Sequence, residues 1–302
     1  MVFKRKPTAR FRERIAMRIV RFAKDGREGF GLVQGDDAIA VRWEADGFDA
    51  AAFLKALGEG ASGLAAFAAE LGKGSALRLD EVSLCTPVPL TGKILCLGAN
   101  FGEHASEAHF EHSQHPAVFM RTRDSFVAPG ESLLKPKLSN DFDFEGELAV
   151  VVGRGGRHIA LDRALDHVAG YTICQEGSIR DYQLNAPQWT LGKNFYRSGS
   201  LGPAFVAAEG LPPGGKGLRL VTRLNGAVVQ DASLSEMLID VASAVSFISG
   251  VMLLEPGDVI AMGTCAGVGL FRKPPLFMKA GDICEIEIEG LGILRNDVVD
   301  EA

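Results

Sequence analysis

Acidic side chains recur at every second position in segment 139–153, which reads SNDFDFEGELAVVVG. They are Asp141, Asp143, Glu145 and Glu147. Alternate side chains of a β-strand share a face, so four carboxylates would be crowded there and would repel one another. Hard divalent cations prefer oxygen ligands, which makes a metal site one interpretation. A solvated strand face is the other, although the apolar run after Glu147 favours burial, and a buried carboxylate needs a partner.

Two further segments, around residues 104 and 176, carry groups suited to catalysis. His104 and Glu107 are three residues apart and share one face of a helix predicted over 101–113. A histidine oriented by a carboxylate is a common general base. Glu176 follows the strand-like run VAGYTICQ, a position where site residues often lie, although any strand-to-loop junction resembles it. The other histidines of segment 100–115 fit no zinc-binding spacing, and a solvated polar helix explains them more simply.

Other catalytic classes lack their signatures. The chain has no GxSxG nucleophile elbow, no phosphate-binding loop with its lysine and no dinucleotide-binding glycine pattern. Cys265 lies in the glycine-rich GTCAGVG without a nearby histidine, so we expect an inert thiol. The five cysteines show no CxxC spacing, which argues against a zinc ribbon or a disulfide framework. Free thiols favour a reducing compartment, and the predicted localisation is the cytoplasm.

The charge distribution restricts the partners. The chain has 302 residues, 47% of them hydrophobic, and a net charge of −6. Residues 1–16 hold six basic residues and one acidic residue, which leaves 26 basic and 37 acidic residues, or −11, on the rest. Phosphates would repel that surface, so we expect no nucleic-acid partner, and no apolar run is long enough to span a membrane. We interpret residues 1–16 as a disordered basic tail.

The elements that would position these groups fall into two predicted domains. Residues 17–85 contain short strands around an Asp25-Gly26 turn, followed by a helical stretch over 48–72 that glycines divide into two helices. A linker with two prolines precedes the second domain, residues 90–302.

The second domain is strand-rich. It contains an Asn225-Gly226 hairpin turn and a helix predicted over 235–250. The predicted fold class is α+β and mainly β, with a small N-terminal α+β domain ahead of the catalytic domain.

From about residue 93 to residue 300, the chain resembles the fumarylacetoacetate hydrolase superfamily. The motifs that carry the resemblance are FEGELAVVVG, GYTICQEGSIRD, WTLGKNF with SLGPAF, LNGAVVQD, LEPGDVIAMGTCAGVG and KAGDICEIEIEGLGILRN. The resemblance implies a mixed β-sandwich roll, the two-domain organisation of bacterial members, a homodimer, and one Mg²⁺ or Mn²⁺ in each active site.

The resemblance also assigns the metal ligands and the general base. The metal ligands fall on Glu145, Glu147 and Glu176, and Glu176 replaces the usual aspartate. The general-base dyad falls on His104 and Glu107.

The remaining assignments concern the substrate. Lys193 falls on the family's catalytic lysine, while Gln183, Thr264 and Arg121 fall on its substrate-binding positions. Cys265 replaces a proline and Arg121 stands where a lysine is frequent, so the substrate is less constrained than the metal site.

The function implied is a metal-dependent hydrolase that cleaves a C–C bond in a β-diketo acid such as an acylpyruvate or fumarylpyruvate, as in aromatic catabolism. His104, held by Glu107, would take a proton from water, and the leaving group would be an enolate stabilised by the ion. The same site would serve oxaloacetate decarboxylation, hydroxymuconate-type isomerisation or lyase cleavage, and nothing in the sequence decides among them. A non-catalytic metal-binding protein is the alternative from another class, and the retained dyad argues against it.

Overall fold

The computed structural model describes residues 16–102 and 116–302. Five short strands and two helices form the N-terminal part: β1 (Arg18–Lys24), β2 (Arg27–Gln34), β3 (Ala38–Trp43), α1 (Ala50–Gly58), α2 (Gly60–Leu71), β4 (Ser75–Arg78) and β5 (Ser83–Leu84).

The strands described next along the chain are β6 (Ile94–Gly98), β7 (Ala117–Arg121), β8 (Phe126–Val127), β9 (Leu133–Lys135), β10 (Phe142–Asp143), β11 (Gly146–Val152), β12 (Val168–Gln175) and β13 (Ser178–Ile179). Two short helices and six strands, with one longer helix among them, complete the chain: α3 (Arg180–Leu184), α4 (Thr190–Lys193), β14 (Gly199–Ala207), β15 (Arg219–Leu224), β16 (Ala227–Ser233), α5 (Val241–Val251), β17 (Val259–Thr264), β18 (Ile283–Ile288) and β19 (Gly292–Asp300).

Both predicted hairpin turns are confirmed. Asp25 and Gly26 have φ values of 51° and 73°, and Asn225 and Gly226 have values of 52° and 81°. A two-residue turn with both central residues in the left-handed region matches the twist of the flanking strands, which explains the Asp-Gly and Asn-Gly pairs. The turns join β1 to β2 and β15 to β16 in antiparallel pairs.

The helices follow the prediction except at their ends. The stretch over 48–72 forms α1 and α2, and the Asp49 side chain accepts a hydrogen bond from the Ala52 amide at 2.8 Å at the start of α1. The helix expected from residue 235 begins at Val241, because Asp240 accepts from the Ser243 amide at 2.8 Å and caps it there. Most of the helix predicted over 101–113 lies outside the described residues. None of the described helices is both long and apolar enough to cross a membrane.

Most strands belong to one large sheet. Ten of its twelve strands run in the order β4-β3-β2-β1-β14-β12-β11-β17-β6-β7, and the other two lie off this path, with β5 paired to β1 and β8 paired to β14. A five-stranded sheet runs β16-β15-β18-β19-β9, and β10 pairs with β13. Because β1 pairs with β14, the strands of the predicted N-terminal domain extend the sheet of the second domain. The predicted border at residues 85–90 lies in the connection between β5 and β6.

Strand β11 is buried on both faces. Leu148 and Val150 pack into a core shared with the five-stranded sheet and α5. Ala149 and Val151 face a second core, which contains Phe53 and other apolar side chains of α1 and α2. A strand covered on both sides needs apolar residues at successive positions, which explains the run LAVVV.

The contact of α1 with the large sheet leads to a stability prediction. Phe53 is fully buried, and its ring centroid lies 4.9 Å from Phe30 on β2 and 5.5 Å from Phe205 on β14. Phe53→Ala should lower the free energy of unfolding by about 3–5 kcal/mol because it leaves a cavity where these elements meet. Lys55→Ala, on the exposed side of α1, should change it by less than about 0.5 kcal/mol.

Denaturant unfolding followed by circular dichroism and by tryptophan fluorescence measures both variants. We expect one coincident transition in each, because the sheet is continuous between the two predicted domains. A Phe53→Ala loss below 1 kcal/mol, or an early transition confined to one probe, would contradict this account of the packing.

Candidate metal centre and active site

The antiparallel pair β11–β12 brings three glutamates together. Glu147 lies on β11 opposite Cys174, Glu145 immediately precedes β11, and Glu176 immediately follows β12. The Glu176 amide donates to the Glu145 carbonyl at 2.9 Å, so the residue after β12 is held beside the residue before β11. One carboxylate oxygen from each glutamate lies within 4.8 Å of the others, and all three residues are buried.

The structure separates the two aspartates of the acidic alternation from this group. The strand is interrupted between β10 and β11, so the face shared by alternate residues does not continue from Asp141 to Glu147. Asp141 is half-buried. Asp143 is fully buried, and its carboxylate accepts from the Gly269 amide at 2.7 Å and from the Leu270 amide at 2.9 Å. The expectation of four carboxylates on one strand face is therefore wrong for the aspartates.

Two buried cations face the glutamates. Lys193 Nζ lies 2.8 Å from Glu145 Oε2 and 2.9 Å from Glu176 Oε2. Arg180 Nη1 lies 2.7 Å from Glu145 Oε1, and Arg180 Nε lies 2.8 Å from Asp143 Oδ2. Burial alone would lower the pKa of Lys193, but the charges of Glu145 and Glu176 outweigh it and raise that pKa above its ordinary value.

Glu147 is the least compensated member of the group. Its Oε2 accepts from the Gly263 amide at 2.9 Å. Burial, followed by the charges of Glu176 and Glu145, raises the pKa of Glu147 well above its ordinary value. Oε1 of Glu147 and Oε1 of Glu176 are buried and have no hydrogen-bond partner among residues 16–102 and 116–302.

These observations fit a divalent cation. Buried carboxylate oxygens without donors are costly unless a positive charge binds them. A hard ion takes carboxylate oxygens as ligands and would offset the excess negative charge of the three glutamates. The residues that would hold the ion are those proposed from the sequence: Glu145, Glu147 and Glu176.

A narrow cavity opens above the glutamates. Polar groups at its base are the three carboxylates with Arg180, Gln183, Lys193 and Thr264. Apolar and aromatic side chains form most of the remaining wall: Leu97, Phe119, Leu184, Trp189, Leu270 and Phe271. The Phe119 and Trp189 rings meet edge to face with centroids 5.4 Å apart, and Lys193 Nζ lies 5.2 Å from the Phe119 centroid. With a divalent cation bound to the carboxylates, such a site would suit a small, anionic molecule with an apolar portion.

The structure brings most of the described candidate residues to this cavity. Lys193, Gln183 and Thr264 line it. Arg121 does not: its guanidinium is buried, donates to the Gly177 carbonyl at 3.2 Å and to Ser198 Oγ at 2.9 Å, and lies 4.5 Å from the Phe126 centroid. His104 and Glu107 lie outside the described residues.

Arg180 is a site residue to which the sequence assigned no role, and Asp143 pairs with it instead of joining the metal-ligand group. Arg180 belongs to the motif GYTICQEGSIRD, but a lone arginine after a strand resembles any surface arginine. An indirect signal could have found it, because a carboxylate just before a buried strand needs a cation and Arg180 follows shortly after the next buried strand along the chain.

Comparison with known proteins agrees with this geometry. Residues 93–299 match the family model described as fumarylacetoacetate (FAA) hydrolase C-terminal. The chain belongs to this family. Residues 17–55 match a second family model, described as Rv2993c-like, N-terminal. Among curated relatives, the mitochondrial oxaloacetate tautomerase FAHD2A of Homo sapiens is 39% identical over 222 residues, which cover 73% of this chain and 70% of the relative.

Solved structures of the same family share the fold. The fumarylacetoacetate hydrolase of Exiguobacterium antarcticum has a TM-score of 0.82 at 30% identity, covering 95% of this chain and 100% of that one. The 2-hydroxyhepta-2,4-diene-1,7-dioate isomerase of Mycobacterium marinum has a TM-score of 0.74 at 29% identity, with coverage of 95% and 100%. The predicted family and the predicted fold class, mainly β with few helices, are confirmed.

The exposed glutamate Glu209 provides a control for a test of the metal centre. Mn²⁺ should stabilise the wild-type protein by about 2.7 kcal/mol when the ion is present at about 100 times its Kd. Glu147→Gln should lose most of this stabilisation, because an amide is a weak ligand for a hard cation. Without the ion it should be at least as stable as the wild type, since one of three repelling carboxylates is gone.

Thermal unfolding with and without MnCl₂ measures both effects, and Glu209→Gln should respond like the wild type. An unchanged Mn²⁺ response in Glu147→Gln would exclude Glu147 as a ligand.

Proposed function

We propose that the protein is a divalent-metal-dependent enzyme acting on the enol or enolate form of a small 2-oxo acid. The observation that carries the proposal is the buried group of Glu145, Glu147 and Glu176, with Lys193 2.8 Å from the first and 2.9 Å from the last. A Mg²⁺ or Mn²⁺ ion held there would supply Lewis acidity toward the substrate's 2-oxo oxygen.

The chain's own residues would bind and orient the substrate. Lys193 is the cation nearest the three carboxylates and would stabilise negative charge that develops on an oxygen. Arg180 Nη2 is buried and has no hydrogen-bond partner in the described part of the chain, while Arg180 lines the cavity. It would donate to a substrate carboxylate, and Gln183 would offer a neutral polar contact beside it.

Keto–enol interconversion of oxaloacetate is the first candidate reaction. It is supported by the 39% identity to a protein named oxaloacetate tautomerase. The reaction needs only a proton moved between a carbon and an oxygen, so it requires neither a nucleophile nor a water molecule. Decarboxylation of oxaloacetate would release CO₂ and leave the enolate of pyruvate, and isomerisation of a hydroxymuconate-type diacid would pass through an enolate of that diacid. Both would need the same stabilisation of negative charge on an enolate oxygen, and decarboxylation is the neighbouring outcome of the oxaloacetate assay.

Hydrolysis of an acylpyruvate or fumarylpyruvate is the second candidate. The structural similarity to a fumarylacetoacetate hydrolase supports it. It would require a general base for water, and the proposed base remains His104 with Glu107. Arg121 is not part of this proposal, because its donors are occupied by internal groups.

The oligomeric state, the partner and the compartment are proposed from the family resemblance and the cysteines. A homodimer follows from the family resemblance, and a small keto acid is the proposed partner. The cytoplasm stays the predicted compartment on the basis of five cysteines that form no disulfide. The curated relative is named as mitochondrial, so a mitochondrial location is the competing proposal.

Product analysis distinguishes the reactions. Purified protein with Mg²⁺ is incubated with oxaloacetate and, separately, with an acylpyruvate, and enol absorbance and pyruvate are followed together. Enol loss without pyruvate indicates tautomerisation, pyruvate from oxaloacetate indicates decarboxylation, and pyruvate with a second carboxylic acid from the acylpyruvate indicates hydrolysis. No metal-dependent turnover of any 2-oxo acid, in a protein that binds Mn²⁺, would favour the non-catalytic alternative.

Lys193→Met should lower kcat by about 10²–10³-fold in whichever reaction is observed, because it removes the cation nearest the three carboxylates. Lys216→Met, on an exposed lysine, is the matched control and should leave kcat unchanged. Steady-state kinetics measure both, and a Lys193→Met enzyme with wild-type kcat would refute the role of Lys193.

His104→Ala tests the general base separately. It should lower acylpyruvate hydrolysis by about 10²–10⁴-fold, which is the usual contribution of a positioned group that takes the proton from water. Single-turnover rates measure the change. Hydrolysis at the wild-type rate in His104→Ala would exclude this histidine as the base.

A further inference from the structure

Gly146 separates two of the proposed metal ligands and has no room for a side chain. A Cβ atom at this position would lie 2.3 Å from Thr222 Oγ1. Gly146 can therefore be held in place only through its backbone amide and carbonyl groups. The Gly146 amide donates to Gln230 Oε1 at 2.9 Å, and the Gly146 carbonyl accepts from Thr264 Oγ1 at 3.0 Å.

The backbone partners fix the orientation of the Gln230 amide. The Gly146 amide can only donate, so the oxygen of Gln230 faces it. The Cys265 carbonyl can only accept, and Gln230 Nε2 donates to it at 2.9 Å. The second hydrogen on Nε2 goes to Thr264 Oγ1 at 2.7 Å.

The same contacts fix the hydroxyl of Thr264. Because the Gly146 carbonyl can only accept, the Thr264 hydrogen points at it, and Gln230 fills one of the two lone pairs. Thr264 Oγ1 can therefore accept one hydrogen bond from a group in the cavity and cannot donate one. Gln230, Thr264 and Gly146 form a closed ring of hydrogen bonds, which we call the Gln230 clamp.

A β-bulge aims Gln230 inward. In the β15–β16 pair, Thr222 faces Gln230 and Arg223 faces Val228, so Val229 is the extra residue. Val229 and Gln230 are consecutive and both buried, which a regular strand with one solvated face would not allow. The Gln230 side chain, which is 2% exposed, thereby extends from the five-stranded sheet to the first residue of β11 in the large sheet.

We propose that Gln230 is a positioning residue of the metal centre, which holds the Glu145–Gly146–Glu147 backbone so that the two carboxylates stay close together. The proposal rests on the proposed metal-dependent function. Gln230 does not line the cavity and acts only through Gly146 and Thr264. Mutual repulsion of buried carboxylates favours a wider spacing, and the clamp opposes it by satisfying both polar groups of Gly146.

A purely structural role is the alternative, and Asn296 is the matched control for it. Asn296 is also 2% exposed, and its side-chain amide donates to the Ala128 carbonyl at 3.0 Å and to the Glu131 carbonyl at 2.8 Å. Neither partner lines the cavity. Gln230→Met and Asn296→Leu each remove a buried amide that bonds to backbone, so both should lower the thermal unfolding temperature.

Titration of the metal-free chain with Mn²⁺ by calorimetry tests the proposal without substrate. Gln230→Met should raise the Kd for Mn²⁺ about 10–100-fold, which is the usual effect of losing a partner that orients a metal ligand. Asn296→Leu should stay within about twofold of the wild type, as expected for independent sites. Wild-type affinity in a folded Gln230→Met would overturn the proposal and leave the proposed function standing. A wild-type protein that binds no Mn²⁺ would overturn both.

Thr264 keeps the test decisive if Gln230→Met does not fold. Thr264→Val removes the hydroxyl that holds the Gly146 carbonyl and should weaken Mn²⁺ binding about tenfold. Thr264→Ser keeps the hydroxyl and should bind Mn²⁺ with the affinity of the wild type. Equal Mn²⁺ affinity in Thr264→Val and Thr264→Ser would overturn the clamp.

Discussion

The mutual repulsion of three buried carboxylates is the interaction on which the rest of the site depends. One oxygen from each of Glu145, Glu147 and Glu176 lies within 4.8 Å of the others. Lys193 and Arg180 offset part of that charge, and both are themselves buried. Glu147 keeps a raised pKa despite them, because burial and its two neighbours disfavour its charged form. A divalent cation is the simplest group that would remove the remaining imbalance.

The fold supplies the rigidity that such a crowded site requires. β11 lies between two hydrophobic cores, so it cannot shift toward either face without opening a cavity. β12 and β17 flank it through antiparallel ladders, and the glutamates sit at the end of this packed strand. The N-terminal helices cover one face of the sheet. These helices contribute no residue to the site, but their packing against β11 helps to hold that strand in position.

The same arrangement is compatible with several reactions of one chemical class. Carboxylates and two cations at the base of the cavity suit the charged end of a 2-oxo acid, while Phe119, Trp189 and Phe271 form an apolar wall. Relatives and structural neighbours of this chain carry the names tautomerase, isomerase and hydrolase. These reactions differ in where a proton or a water molecule reaches the intermediate.

The sequence by itself determined the features that depend on neighbouring residues. The Asp25-Gly26 and Asn225-Gly226 turns follow from the left-handed conformations that these residue types accept. The division of segment 48–72 into two helices follows from its glycines. The E-G-E spacing, together with the apolar run after it, already indicated that buried glutamates would need a positive partner.

Only the tertiary structure decided which distant groups meet. Lys193 reaches Glu145 across 48 residues, and Gln230 reaches Gly146 across 84. An interruption between β10 and β11 diverts Asp143 from the glutamates to Arg180, and internal hydrogen bonds hold Arg121 away from the cavity. Sequence periodicity could not foresee these outcomes, because it describes one strand at a time. The bulge, the strand break and the pairing of β1 with β14 arise from packing between separate elements.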